Sequence, residues 1–333
     1  MIFRWAMIGT GNVNRRMAQS IQGAKDAELL AVLSRDKGKA TTFAKEYGIE
    51  RAYDSLDEML RDPDINIVYV ATPNILHAPH TIRVAEAGKH VLCEKPMATT
   101  VRQCHDMIEA CQKHGVKLGI DFQYRYYPVQ QKARELVASG VLGDIIFANA
   151  HVELPVRSMP DWYYQEMAGS GILYAVGAHR IDLLRFILGS EVEAVSAFVG
   201  EQTVDRPFEE IVVAILKFRS GAYANIHFSY HTPHGTHKLE VHGTNASLFG
   251  NSSSPLWAGT EPEGKLNLKS DTCSIDYQFQ RIDVYKEVVE HFTRSIREGV
   301  EPLASGIDGL RAAEIAIAIL ESSREGKTIK LNA

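Results

Sequence analysis

The chain has 333 residues, enough for about two domains, with 45% apolar and 23% charged residues and a formal charge of −5. That balance supplies no basic field for nucleic acid or an anionic membrane. No stretch approaches the ~18 consecutive apolar residues of a spanning helix. The N-terminus runs straight into a strand, without the basic and apolar segments of a leader, so the expectation is a cytoplasmic protein. Cys93, Cys104, Cys111 and Cys273 fit neither zinc nor redox spacing and read as reduced, buried thiols.

The first element is the apolar run Trp5 to Ile8. Gly9 and Gly11 interrupt it, and Val13, Met17 and Ile21 follow at helical spacing. This is strand, glycine turn, helix. Gly9 lets the chain turn, and Gly11 lets the backbone approach a pyrophosphate at the helix N-terminus. Gly9, Thr10, Gly11, Asn12 and Val13 are the expected dinucleotide-binding residues. The third position of this fingerprint is usually Gly or Ala, and here it is Asn14.

Residues 28–33 read as a second buried strand, followed by Ser34, Arg35, Asp36 and Lys39. An acid at position 34 would bond a free ribose 2′-hydroxyl. Ser34 removes it, while Arg35 and Lys39 suit a 2′-phosphate. The cofactor reading is NADP(H), with NAD(H) as the alternative. The bland reading of Arg35 and Lys39 is a solvated helix start.

A helix is expected at about 37–47. A short one starts at Ser55, with Glu58 completing a capping box. Residues 67–71 are an all-apolar strand closed by Thr72, Pro73 and Asn74, with His77 just beyond. These residues should face the cofactor, because ligands bind at the carboxyl edge of such sheets. A helix at 76–87 leads to the strand that ends in Glu94-Lys95-Pro96. Proline holds Lys95 extended at the sheet edge. Lost hydration lowers an amine there toward a usable proton donor or acceptor. A surface lysine paired with Glu94 is the alternative. A helix at 101–114 and a strand at 116–120 complete a βαβα alternation, so the N-terminal third is a doubly wound parallel sheet.

Ala6-Met7-Ile8-Gly9-Thr10-Gly11-Asn12, the Ala71-Thr72-Pro73-Asn74 turn with His77, and above all Glu94-Lys95-Pro96 resemble the Gfo/Idh/MocA oxidoreductase family. The likeness extends over the whole chain, through Gly171, Gly177-x-His179-x-x-Asp182 and Val241-His242-Gly243-Thr244. It implies an N-terminal Rossmann domain, 1–122, that binds the dinucleotide. It implies a substrate-binding and oligomerisation α+β domain, 123–333, with a large, mostly antiparallel, open-faced sheet.

The residues of the second half agree with that division. Helices are expected at 128–139 and 178–188, then at 281–298 and 306–324. Strands are expected near 145–154, 192–200, 210–218, 222–230, 237–243 and 246–249.

The resemblance implies hydride transfer between nicotinamide and a sugar, polyol or cyclic ketone held between the domains. Lys95 is then the principal acid or base and His179 its partner. Thr72, Pro73, Asn74, His77, Glu94, Lys95 and Arg125 join the cofactor residues. Tyr126, Trp162, Tyr163, His179 and Asp182 are the expected substrate residues.

Related polyol dehydrogenases carry an aspartate four residues before the histidine, where this chain has Ala175. That departure counts against a polyol dehydrogenase; since NADPH serves reductions, a keto-sugar reductase is the narrower expectation, beside a sugar or inositol dehydrogenase. The departure also keeps open a non-catalytic NAD(P)-sensing regulator of the same fold. A glycosidase using transient NAD oxidation is a third reading. His227, His231, His234, His237 and His242 are close in sequence but lack ligand spacing, so no metal is expected. The family's open sheet face suits a homo-oligomer, dimer or tetramer, with no nucleic acid or membrane partner.

Overall fold

The computed structural model describes residues 2–154, 169–200, 208–232, 236–251 and 264–331. The chain divides into two compact units. The first is Met1–Gln123 with Asp283–Leu310, and the second is Tyr124–Ile282 with Arg311–Ala333. The chain returns to the first unit after the second has begun.

The first unit is a six-stranded parallel sheet. Its strands are β1 (Phe3–Ile8), β2 (Ala27–Leu33), β3 (Arg51–Tyr53), β4 (Ile67–Val70), β5 (His90–Cys93) and β6 (Leu118–Ile120), in the order β3-β2-β1-β4-β5-β6. Helices α1 (Asn12–Gly23), α2 (Lys37–Tyr47), α3 (Leu56–Arg61), α4 (His77–Glu86) and α5 (Val101–Lys113) connect them. Every residue of β4 is buried, as a strand covered on both faces must be. Helix starts follow local chemistry: Asp36, Ser55 and Thr100 each accept a bond from the backbone N–H three residues on.

The returning helix, Val284–Glu298, covers this sheet. Phe292 packs edge-on to Trp5, ring centroids 6.0 Å apart, and fills the place a Cβ would take at Gly119 in β6. Ser20 of α1 donates to the Asp283 carboxylate at 2.8 Å.

The second unit starts with α6 (Pro128–Ala138) and β7 (Ile145–Glu153), then a π turn at Leu173–Gly177 that runs into α7 (Ala178–Leu188). Strands β8 (Val192–Gly200), β9 (Ile211–Phe218), β10 (Tyr223–Ser229), β11 (Thr236–Gly243), β12 (Ser247–Asn251), β13 (Lys265–Lys269), β14 (Ser274–Gln278) and β15 (Ile329–Lys330) follow. With β7 they form a nine-stranded sheet, β14-β13-β12-β11-β7-β10-β9-β8-β15. Its pairings are antiparallel except the parallel β7–β10 pair. The sequence reading gives no strand at β3, β13, β14 or β15.

Alternation along β9 buries Val212, Ala214, Leu216 and Phe218 and leaves Val213 and Ile215 outward. The outward face carries exposed apolar side chains among polar ones: Phe198 is 83% exposed, and Tyr223 is exposed as well. All of α7 is buried, although it carries His179, Arg180, Asp182 and Arg185.

No helix among the described residues is long and apolar enough to cross a membrane. All four cysteines are unpaired, but the expectation that all are buried needs correction. Cys273, in the turn between β13 and β14, is exposed.

Candidate active site

The glycine turn after β1 is built as a phosphate cradle. Gly9 has φ 114°, and a Cβ there would strike the Ala71 carbonyl. At Gly11 a Cβ would meet only the Asn14 side chain, at 3.6 Å, so the fold itself tolerates one there. Open space over a backbone at the start of α1 is what an approaching pyrophosphate needs. Asn14 is fully buried. Its Oδ1 accepts from Gly11 N–H at 3.1 Å, and its Nδ2 donates to the Ile8 carbonyl. The departure at the third fingerprint position therefore braces the turn. These residues fit a dinucleotide.

At the end of β2, Ser34 is half-buried, and Arg35 and Lys39 are exposed. The Asp36 carboxylate is spent on Lys39 N–H at the start of α2, at 3.1 Å. Helix capping thus withdraws the nearest acid from the ribose position.

Thr72, Pro73 and Asn74 lie at the end of β4, as the sequence implies. His77, read as a cofactor residue, is buried, with Nδ1 2.7 Å from the Pro96 carbonyl and Nε2 2.9 Å from the Thr72 carbonyl. A neutral ring has one N–H and donates to one of these carbonyls. Burial pushes its pKa down against those two carbonyls.

Lys95 sits just past β5, half-buried, before the Pro96 turn. Desolvation lowers its pKa, and the nearby Glu94 and Asp121 carboxyls oppose that fall. Three adjacent strand ends supply this setting. Tyr69 near the end of β4 donates to Glu94 Oε1 at 2.6 Å and lies 3.3 Å from Asp121 Oδ2. Glu94 Oε2 accepts from the Lys95 backbone N–H at 3.0 Å. Asp121 follows β6 and is fully buried, with the Glu94 carboxyl nearby. Burial, then the charge of Glu94, drives the Asp121 pKa well up. Sequence reasoning missed Tyr69 and Asp121.

In the second unit, His179 at the start of α7 is 3% exposed. Its ring stacks on Tyr124, with centroids 4.4 Å apart and planes at 11°. Asp182 is not placed as the sequence suggests. Its carboxylate is held by Arg125, Nε–Oδ2 2.8 Å and Nη2–Oδ1 2.5 Å, with Arg185 3.6 Å away. Asp182 and Arg125, read as substrate and cofactor residues, form a buried ion pair within this unit. Tyr126 is half-buried. Trp162 and Tyr163 lie outside the described residues.

The histidine run splits between sheet faces. His227 and His242 are half-buried with Leu239 and Val241 of β11 turned the other way, and His237 is buried on that other side. His231 pairs with the buried Glu210 at 2.9 Å. His234 lies outside the described residues. No cluster of metal-ligating side chains occurs among those described.

Two family models match this chain. One is the oxidoreductase family with an NAD-binding Rossmann fold, over residues 3–122, and the other is the GFO/IDH/MocA C-terminal domain, over residues 130–249. The 1,5-anhydro-D-fructose reductase of Ensifer adhaerens is 30% identical, over 98% of each chain. The D-xylose 1-dehydrogenase (NADP(+)) 2 of Haloferax volcanii is 29% identical, over 98% of this chain and 99% of its own. The crystal structure of aldose-aldose oxidoreductase from Caulobacter crescentus, complexed with glycerol, superposes with a TM-score of 0.91. It is 30% identical and covers 99% of this chain and 100% of its own. The chain belongs to the Gfo/Idh/MocA family and is an NAD(P)-dependent oxidoreductase acting on CH–OH or C=O groups.

Proposed function

We propose that the enzyme is an NADP(H)-dependent keto-sugar reductase or sugar dehydrogenase, with Lys95 as its acid or base. The observation that carries this reading is the amine of Lys95 at the β5 edge. Burial makes its proton easier to give up, and the carboxyls of Glu94 and Asp121, which the Tyr69 phenol contacts, lie nearby. When bound, nicotinamide supplies or accepts the hydride. Lys95 gives its proton to the carbonyl oxygen in reduction and takes it from the hydroxyl in oxidation. His179 is the expected partner in that proton chemistry. The relatives named for anhydrofructose, xylose and aldoses support a sugar-like substrate.

NADP(H) is favoured by Ser34, by exposed Arg35, and by the engagement of Asp36 at the α2 cap. A homo-oligomer through the outward face of the nine-stranded sheet is part of the same reading.

Two measurements test it. Fluorescence titration should give tighter binding of NADPH than of NADH, and the reverse order overturns the cofactor preference. Replacing Lys95 with Ala should lower kcat on a responsive sugar or ketone by about 10²–10⁴-fold, the usual worth of a general acid or base. NADPH binding should remain detectable by the same titration. Unchanged turnover moves the proton chemistry to another residue.

A further inference from the structure

The ends of β2 and β4 flank the glycine turn after β1, because the sheet runs β3-β2-β1-β4-β5-β6. Two strand spacings, about 10 Å, separate them. The strand order reverses between β1 and β4, and a dinucleotide lies across the carboxyl edge at such a point. Arg35, Lys37 and Lys39 are the basic residues just past β2. Two acids stand with them. Asp36 caps α2, and Asp54 lies 3.4 Å from Lys37 Nζ. Neither Arg35 nor Lys39 makes an ion pair among the described residues.

On the β4 side, α4 carries His77 and, three residues on, His80, so the two imidazoles share a helix face. His80 is half-buried. Its Nδ1 is 3.3 Å from the Thr72 hydroxyl at the end of β4, and its Nε2 makes no hydrogen bond among the described residues. A hydroxyl both donates and accepts, so this contact holds whether the imidazole is neutral or protonated. Burial lowers the His80 pKa, and His77 and the nearby Arg35 guanidinium lower it further, with no carboxylate opposing them. Arg83, the next basic residue of α4, is paired with Asp57. The free protein therefore holds His80 neutral near pH 7, with Nε2 uncommitted.

We propose that His80 joins Arg35 and Lys39 as a third basic group of the pocket for the 2′-phosphate of NADP(H), and takes up a proton when that phosphate binds. This rests on the reading of NADP(H) as the cofactor. A phosphate monoester carries about −1.5 to −2 charges at neutral pH. Placed among these groups, it favours the imidazolium against the burial and the two neighbours that disfavour it. NADH has no charge at that position and leaves His80 neutral.

Calorimetric titration of the parent and of His80→Gln with NADPH and with NADH tests this without turnover. At about pH 6 the parent's preference for NADPH should exceed the variant's by about 5–10-fold, between the worth of an exposed ion pair and that of a charge-assisted hydrogen bond. The excess should shrink by about pH 8, where the imidazolium is harder to form. Titrations in buffers of different ionisation enthalpy count protons. NADPH binding should take up more of them in the parent than in His80→Gln, and NADH binding the same number in both. Comparing the two proteins cancels the phosphate's own titration. Thr72→Val, which removes the hydroxyl that orients the ring, should lower the preference by a smaller factor. It serves as the test should circular dichroism show that the His80 variant does not fold.

Equal preference in the parent and both variants at either pH, with equal proton uptake, overturns the proposal. Equal weakening of NADPH and NADH in His80→Gln assigns the ring to the shared adenosine and overturns the phosphate contact. In both cases a parent that still prefers NADPH leaves the cofactor reading standing. A parent that binds NADH more tightly refutes that reading, and the phosphate pocket with it.

Discussion

At the ends of β4, β5 and β6 the first unit buries a phenol and two carboxyls beside an amine. Around α7 the second unit buries the guanidiniums of Arg125, Arg180 and Arg185 beside the carboxylate of Asp182. Both clusters must limit the cost of charge in a poorly polarisable interior. The first does so with a mobile proton: the Asp121 carboxyl keeps one, and Lys95 releases its own more readily than a solvated lysine. The second has no such adjustment, because arginine stays protonated, and it holds Arg125 and Arg185 by bidentate pairing with Asp182 and Glu191. One group of side chains is therefore suited to proton transfer, and the other to rigid placement of His179.

The largest expected effect breaks the second cluster. Asp182→Asn leaves Arg125 without its buried counter-ion, and Arg185 keeps Glu191. Removing one partner of a buried pair costs about 3–5 kcal/mol. The denaturation midpoint should fall accordingly, and adding Arg125→Gln should restore part of it. An Asp182→Asn protein as stable as the parent would mean that the pair contributes nothing and that the asparagine side chain satisfies both arginines.

Much of the first unit was readable because its strands are buried on both faces and show as unbroken apolar runs. Turn chemistry did the rest: Gly9, the Ser55 cap and Pro96 each act on neighbours within four residues. The edge strands escaped for the converse reason. In β13, Lys-Leu-Asn-Leu-Lys has only two buried residues, and β3 is three half-buried ones. The return of Val284–Glu298 to the first sheet depends on Phe292 meeting Gly119 and Trp5, contacts with no local signature.

Lys95 and His179 were singled out as candidates by motif, but the surroundings of each were not legible. Tyr69, Glu94 and Asp121 meet only because β4, β5 and β6 are consecutive in the sheet. Helical spacing suggested Asp182 as the neighbour of His179, yet Arg125, 57 residues away, takes it.

The smaller effects sharpen the first cluster. Glu94 and Asp121 both raise the Lys95 pKa against the desolvation that lowers it. Glu94→Gln removes a charge, so the limb of the kcat/KM profile set by Lys95 should move to lower pH. Asp121→Asn should move that limb less, since burial and the charge of Glu94 disfavour the ionised form of Asp121. Equal shifts from the two variants would mean that Asp121 is ionised.

Stability gives the matching readout. The folded-state pKa of Asp121 is raised, so its contribution is complete below the ordinary carboxylate range, about pH 4, and is lost as pH climbs through the raised value. The parent protein should weaken on the alkaline side. Asp121→Asn keeps a donor that cannot ionise, and its denaturation midpoint should change less as pH rises above about 4. A parent and variant with the same slope would mean that Asp121 does not hold its proton in the fold.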